Sequence, residues 1–166
     1  EEMKKAKEKP AVKIGVLAAS NEKVEGGIDL VGYASANEFG TNKIPERSFM
    51  RATIDESGPQ INRLINFLGQ KIAEGKLLLT DALPIVGEFV ETKIKKKIGS
   101  NLPPPNAEST ILRKLSKSKG KKGNAEKVRC VKAGHGALAS GMPKTLIDTG
   151  RLRQSIAWQI VDGGEQ

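Results

Sequence analysis

The sequence is poor in the residues that most chemistry needs. It holds one cysteine, one histidine, one tryptophan and one tyrosine, and aromatic residues make up 4% of its 166 positions. The lone Cys130 excludes an intrachain disulfide framework and suits a reducing interior. Cys130 and His135 are too few for a structural zinc site. As a nucleophile and base they flank a glycine and have no carboxylate nearby to orient them, so both are read as incidental. With so few aromatics, a core must rest on Ile, Leu, Val and Ala. Long apolar runs are missing too. None approaches the ~20 residues that span a bilayer, so no membrane partner is expected. The charged opening Glu1-Glu2-Met3-Lys4-Lys5 lacks the apolar stretch of a secretory leader.

Positive charge, by contrast, is plentiful. The net charge is +9, and residues 113–132 alone contain nine Lys or Arg against one acid, Glu126. Such a block reads as a solvated segment or as a contact for a polyanion, DNA phosphate above all. Lys117, Lys119, Lys121 and Lys122 are the candidate DNA-facing residues. No aromatic is interleaved with them, so a nucleic-acid contact here is expected to be blind to sequence.

The pattern along the chain is that of an α+β fold: a small mixed or antiparallel sheet packed by two amphipathic helices, with a long basic loop or arm. Residues 1–10 read as a flexible lead-in, and residues 11–166 as one domain. The β-branched run from Val12 to Ala19 predicts a strand, and Ile28 to Tyr33 a second strand returning beside it. Ala34 to Phe39 suits a turn or two of helix ended by Gly40. Ile61, Leu64, Ile65, Leu68 and Ile72 share one helical face, in a helix expected to open near Ser57 or Gly58 with Pro59 in its first turn. Leu83, Val86, Val90, Ile94 and Ile98 do the same in a second helix, capped by Thr80 or Asp81. Lysines crowd the end of that helix, and Gly99 closes it. Residues 99–145 read as an extended loop, Pro-rich and then Lys/Gly-rich, in which Val128 to Val131 recovers a short strand. Asp148 or Thr149 is placed to cap a short helix reaching Ser155, and Ile156 to Val161 to form a closing strand.

Two stretches imitate catalytic motifs. Asp148-Thr149-Gly150 has the local form of an aspartic protease, whose mechanism needs two carboxylates sharing one proton. Arg151 and Arg153 beside it would hold both carboxylates ionised. Gly136 to Thr145 resembles a phosphate-binding loop, but Met142 and Pro143 separate Lys144 from Gly141, where the true motif has lysine next to glycine. Neither predicts an enzyme, and no cofactor or metal is expected.

Two phrases remain, Asn37 to Arg51 and Thr145 to Ile156. Arg47 and Arg51 share a face if Glu46 to Asp55 is helical, with Phe49 pinning that helix to the core. These arginines either pair with Glu46 and Asp55 or reach carboxylates on a neighbouring subunit. Asn37, Glu38 and Thr41 suit a chain reversal or a rim contact. Asn-Glu-Phe-Gly-Thr, Ile-Pro-x-Arg-x-Phe-x-Arg, Asn106-Ala107-x-Ser109-Thr110 followed by Lys114, and Leu-Ile-Asp-Thr-Gly-x-Leu-x-x-Ser-Ile occur in this order. That succession, over residues 12–161, resembles the tail-completion and virion-morphogenesis proteins of tailed bacteriophages, which include neck and minor tail components. The basic stretch between Ser116 and Lys132 is longer than the family pattern.

The resemblance implies a non-enzymatic virion protein of the neck or tail, assembled in the bacterial cytoplasm. It would form a homo-oligomeric ring, a hexamer or dodecamer, joining the portal-side connector to tail terminator or tail tube proteins. Glu38, Phe39, Pro45, Arg47, Phe49, Arg51, Asp148, Thr149, Gly150, Arg151 and Leu152 are then the residues expected to shape the subunit and its interfaces. The other reading of the sequence is a sequence-nonspecific DNA-binding protein.

Overall fold

The expected closing strand is the partner of the first. Strand β1 (Ala11–Val16) pairs antiparallel with β2 (Ile156–Val161), with Ala11 opposite Val161 and Val16 opposite Ile156. The computed structural model describes residues 10–17, 29–117, 124–132 and 143–161. Between the two strands run helices α1 (Leu30–Phe39), α2 (Arg51–Ala73), α3 (Leu79–Ile98), α4 (Glu108–Lys117), α5 (Asn124–Lys132) and α6 (Arg151–Ser155). The fold is α+β, with helices packed on a two-stranded antiparallel sheet.

A sheet of two strands is marginal on its own and needs a covering layer. Helix α3 supplies it, packing on both β1 and β2. Its buried residues Ala82, Gly87, Val90, Ile94 and Ile98 follow helical spacing. Gly87 lies so near the indole of Trp158 that a Cβ there would fall 2.5 Å from the ring. Phe49, Ile94, Ile98 and Ile156 are fully buried in the main core, joined by Leu30, Leu102, Leu146 and Leu152. Each such side chain contributes about 1.5–3 kcal/mol through burial.

Helix α2 packs along α3. Lys97 reaches Glu56 and Lys93 reaches Gln60, so the two helices run antiparallel. Gly99 ends α3, its N–H donating to the Lys95 carbonyl while the Ser100 N–H donates to that of Lys97. Gly40 ends α1 at a φ of 75°, a conformation that favours glycine. No helix among the described residues is long and apolar enough to cross a membrane.

Several expectations are corrected. Residues 30–33 belong to helix α1 rather than to a second strand, because Asp29 caps that helix by accepting from the Gly32 N–H at 2.7 Å. Helix α2 begins at Arg51, ahead of the expected Ser57, and Pro59 lies inside it. Helix α3 begins at Leu79 with no side-chain cap from Thr80 or Asp81. The 99–145 stretch is not one long loop, since α4 and α5 lie within it. Val128 and Val131 are helical: three apart, they meet the apolar face of α4 and form with Ile111, Leu112 and Leu115 a second, smaller core. Residues 118–123 and 133–142 of that stretch lie outside the described residues.

Candidate functional site

Helix α2 has one local cap, the Ser48 hydroxyl, which accepts from the Ala52 N–H at 3.2 Å. Its N-cap residue, Met50, makes no side-chain capping bond. Glu38, at the end of α1, supplies one instead. Its Oε2 accepts from the backbone N–H of Phe49 and Met50 at 2.8 and 2.9 Å, and its Oε1 from the Arg51 N–H at 2.9 Å. The Ser48 hydroxyl donates to Oε1 at 2.8 Å. A carboxylate here satisfies orphan N–H groups and faces the positive end of the helix dipole. Burial alone would raise the pKa of Glu38, but the bonds from Met50, Arg51, Ser48 and Phe49 outweigh it and hold the carboxyl below its usual range.

Arg51 closes the same corner from outside. Its guanidinium donates to the Glu38 carbonyl at 2.9 Å and to Glu46 at 2.7 Å, and lies 4.6 Å from the ring centre of Phe39. Arg47 does not share a face with it, because the chain becomes helical only at Arg51. Arg47 turns inward, and its Nε and Nη2 donate to the carbonyls of Pro104 and Pro105 at 2.8 and 3.0 Å. The proline run is thereby fastened to the first phrase. The Asn37 carbonyl accepts from the Arg47 N–H at 2.7 Å, and Thr41 bonds locally to Ile44, so the polar residues of the reversal are used within it.

The second phrase is fastened by a residue that sequence reading did not assign to the site. Lys114, 8% exposed, donates through Nζ to the carbonyls of Lys144, Thr145 and Ile147 at 2.8, 3.1 and 2.9 Å. Asn106 also donates to the Lys144 carbonyl, at 3.3 Å. Burial, reinforced by Arg113, Arg47 and Lys117 and opposed by Asp148, pulls the Lys114 ammonium down to about 8. A signal was present: Lys114 sits between Ile111 and Leu115 on the apolar face of an amphipathic helix, where an exposed lysine would not be placed.

Neither Asp148 nor Thr149 caps α6. The turn is made by Gly150, at a φ of 83°, with no side-chain cap. Asp148 pairs instead with Lys117 at 3.2 Å, a cation where a protease dyad needs a second carboxylate. Among the other candidates, Glu38, Arg47, Phe49 and Leu152 are buried within the subunit. Phe39 is 61% exposed, and Pro45, Arg51, Thr149 and Arg151 lie at the surface. Lys119, Lys121 and Lys122 fall outside the described residues, as does His135. Cys130 is half-buried on α5. No group of three or more metal-ligating side chains occurs among the described residues.

Residues from both phrases and from the 106–114 segment line one groove of about 780 Å³. Tyr33, Pro45 and Arg47 come from one side, Pro105 and Arg113 from another, and Thr145 with Arg151 from the third. Segments far apart in sequence are thus joined by Arg47 and Lys114 acting on backbone carbonyls. No family model, curated protein or solved structure matches this chain.

Proposed function

We propose that this protein is a structural subunit of the head–tail junction of a tailed bacteriophage. Copies of it form a ring, hexameric or dodecameric, between the portal-side connector and the tail terminator or tube, and the protein acts by shape rather than by chemical conversion. The observation that carries this reading is the convergence of the phrases behind the resemblance. Their buried members, Glu38, Arg47, Phe49, Lys114 and Leu152, brace the subunit. Their exposed members, Phe39, Pro45, Arg51, Thr149 and Arg151, remain at the surface for neighbours. Pro45, Thr149 and Arg151 line the groove, while Phe39 and Arg51 meet at the α1–α2 corner. Two such patches suit a heterologous ring contact, in which one surface meets a different one on the next copy.

Native mass spectrometry, with and without assembled tails, tests the proposal. The expected result is a closed oligomer of six or twelve, alone or on tails, unaffected by Asp148→Asn. A monomer under every condition overturns it, and tight monomeric DNA binding that collapses with salt would favour the nucleic-acid reading instead.

A further inference from the structure

We propose that the groove is a docking site for an acidic, extended peptide segment of another protein. The identity of that partner as an assembly neighbour rests on the function proposed above; the binding itself does not.

Charge is the first argument. Among the described residues five cations, Lys43, Arg47, Arg113, Lys114 and Arg151, line the groove against one carboxylate, Asp148, which is already paired with Lys117. Arg47 and Lys114 are occupied by backbone carbonyls. Lys43, Arg113 and Arg151 are exposed and make no side-chain hydrogen bond or ion pair with another described residue. Exposed arginines with no carboxylate partner among the described residues are suited, at a concave wall, to bidentate capture of carboxylates.

An orphaned polar atom is the second argument. Thr145 is 4% exposed and lines the groove, and its hydroxyl is buried with no partner among the described residues. Buried hydroxyls are normally bonded, and a rotation of the Thr145 side chain toward the groove would offer this one to a peptide amide or carbonyl. Pro45, Pro104 and Pro105, exposed in the wall, offer apolar surface to the side chains between the acids.

Nucleic acid fits less well. Tyr33 is the only aromatic among the described lining residues, so bases have almost nothing to stack on.

The test is fluorescence anisotropy with a labelled decapeptide alternating glutamate and proline, alongside a glutamine version and an oligothymidylate of equal length. The glutamate peptide is expected to bind saturably and the glutamine peptide not to. Arg113→Glu with Arg151→Glu is expected to weaken binding about tenfold or more at unchanged melting temperature. Thr145→Val is expected to weaken it about threefold, and Arg129→Glu, on α5, to leave it unchanged. Equal binding by the double variant, equal binding of the glutamine peptide, or tighter binding of oligothymidylate overturns the proposal. Assembly mass measured on the same samples separates the two readings. Rings that ignore the peptide sink the groove alone, and monomers that bind it sink the ring alone.

Discussion

Oε1 of Glu38 accepts from both the backbone N–H and the side-chain Nε of Arg51, at 2.9 and 3.2 Å. One carboxylate oxygen therefore fixes where helix α2 starts and also where its first side chain lies. The end of one helix is coupled to the beginning of the next across an eleven-residue loop.

Glu38→Gln replaces an acceptor-only carboxylate with a group whose amide faces other donors. Loss of about 2–4 kcal/mol is expected, or a fall of roughly 4–15 °C in melting temperature. The carboxyl's pKa is lower in the folded chain than the usual 4.5, so its contribution is complete above that value and is lost as pH falls through the folded pKa. Melting curves on the acid side should fall more steeply for the native chain than for the variant.

Gly87→Ala pits a helix-favouring residue against a collision with Trp158. Propensity favours alanine by about 1 kcal/mol, whereas forced repacking costs about 1–3 kcal/mol. Net destabilisation is expected because the obstacle is a ring seated in the sheet. Trp158 is the only tryptophan, so a red-shifted emission at unchanged helix content would report the displacement; a more stable variant with unchanged emission would refute it.

Lys114→Met leaves three carbonyls without their shared donor and is expected to cost about 2–3 kcal/mol at neutral pH. The folded lysine gives up its proton near 8 and the unfolded one near 10.5. Between those values the unfolded chain binds the extra proton, so stability from this group rises with pH. The gap in melting temperature between native chain and variant should widen from pH 8 toward 10.5. A constant gap would show that Lys114 titrates normally.

Arg47→Lys keeps the charge but loses the planar fork that meets two carbonyls at once. Destabilisation of about 1–2 kcal/mol is expected, with faster amide exchange in the segment following the prolines, around 106–110. Unchanged exchange there would mean that Pro104 and Pro105 are held by packing alone.

Helices α2 and α3 were legible because their apolar stripes repeat over many turns. Their starting points were not. Pro59 and Ser57 imitate a helix start, while the main cap, Glu38, stands well before it in sequence. Residues 28–33 read as a strand because a short apolar run has no distinct period, and the cue in Asp29 was outweighed. Val128 and Val131 misled through β-branching, since their partner Ile111 lies on another helix. In the candidate site, Arg47 and Lys114 act on backbone carbonyls, which carry no residue-type signature. Lys114 alone was legible in principle, as a charge on an apolar face.

The register that sets Ala11 against Val161 has a consequence for the birth of the chain. On the ribosome β1 emerges first, yet its mate follows roughly 140 residues later, and closing so wide a span is entropically costly and slow. Until then the strand-facing side of Gly87 has no indole to receive. A nascent chain stalled short of Ile156 would carry folded helices over an unzipped edge, a form that chaperones and proteases can recognise.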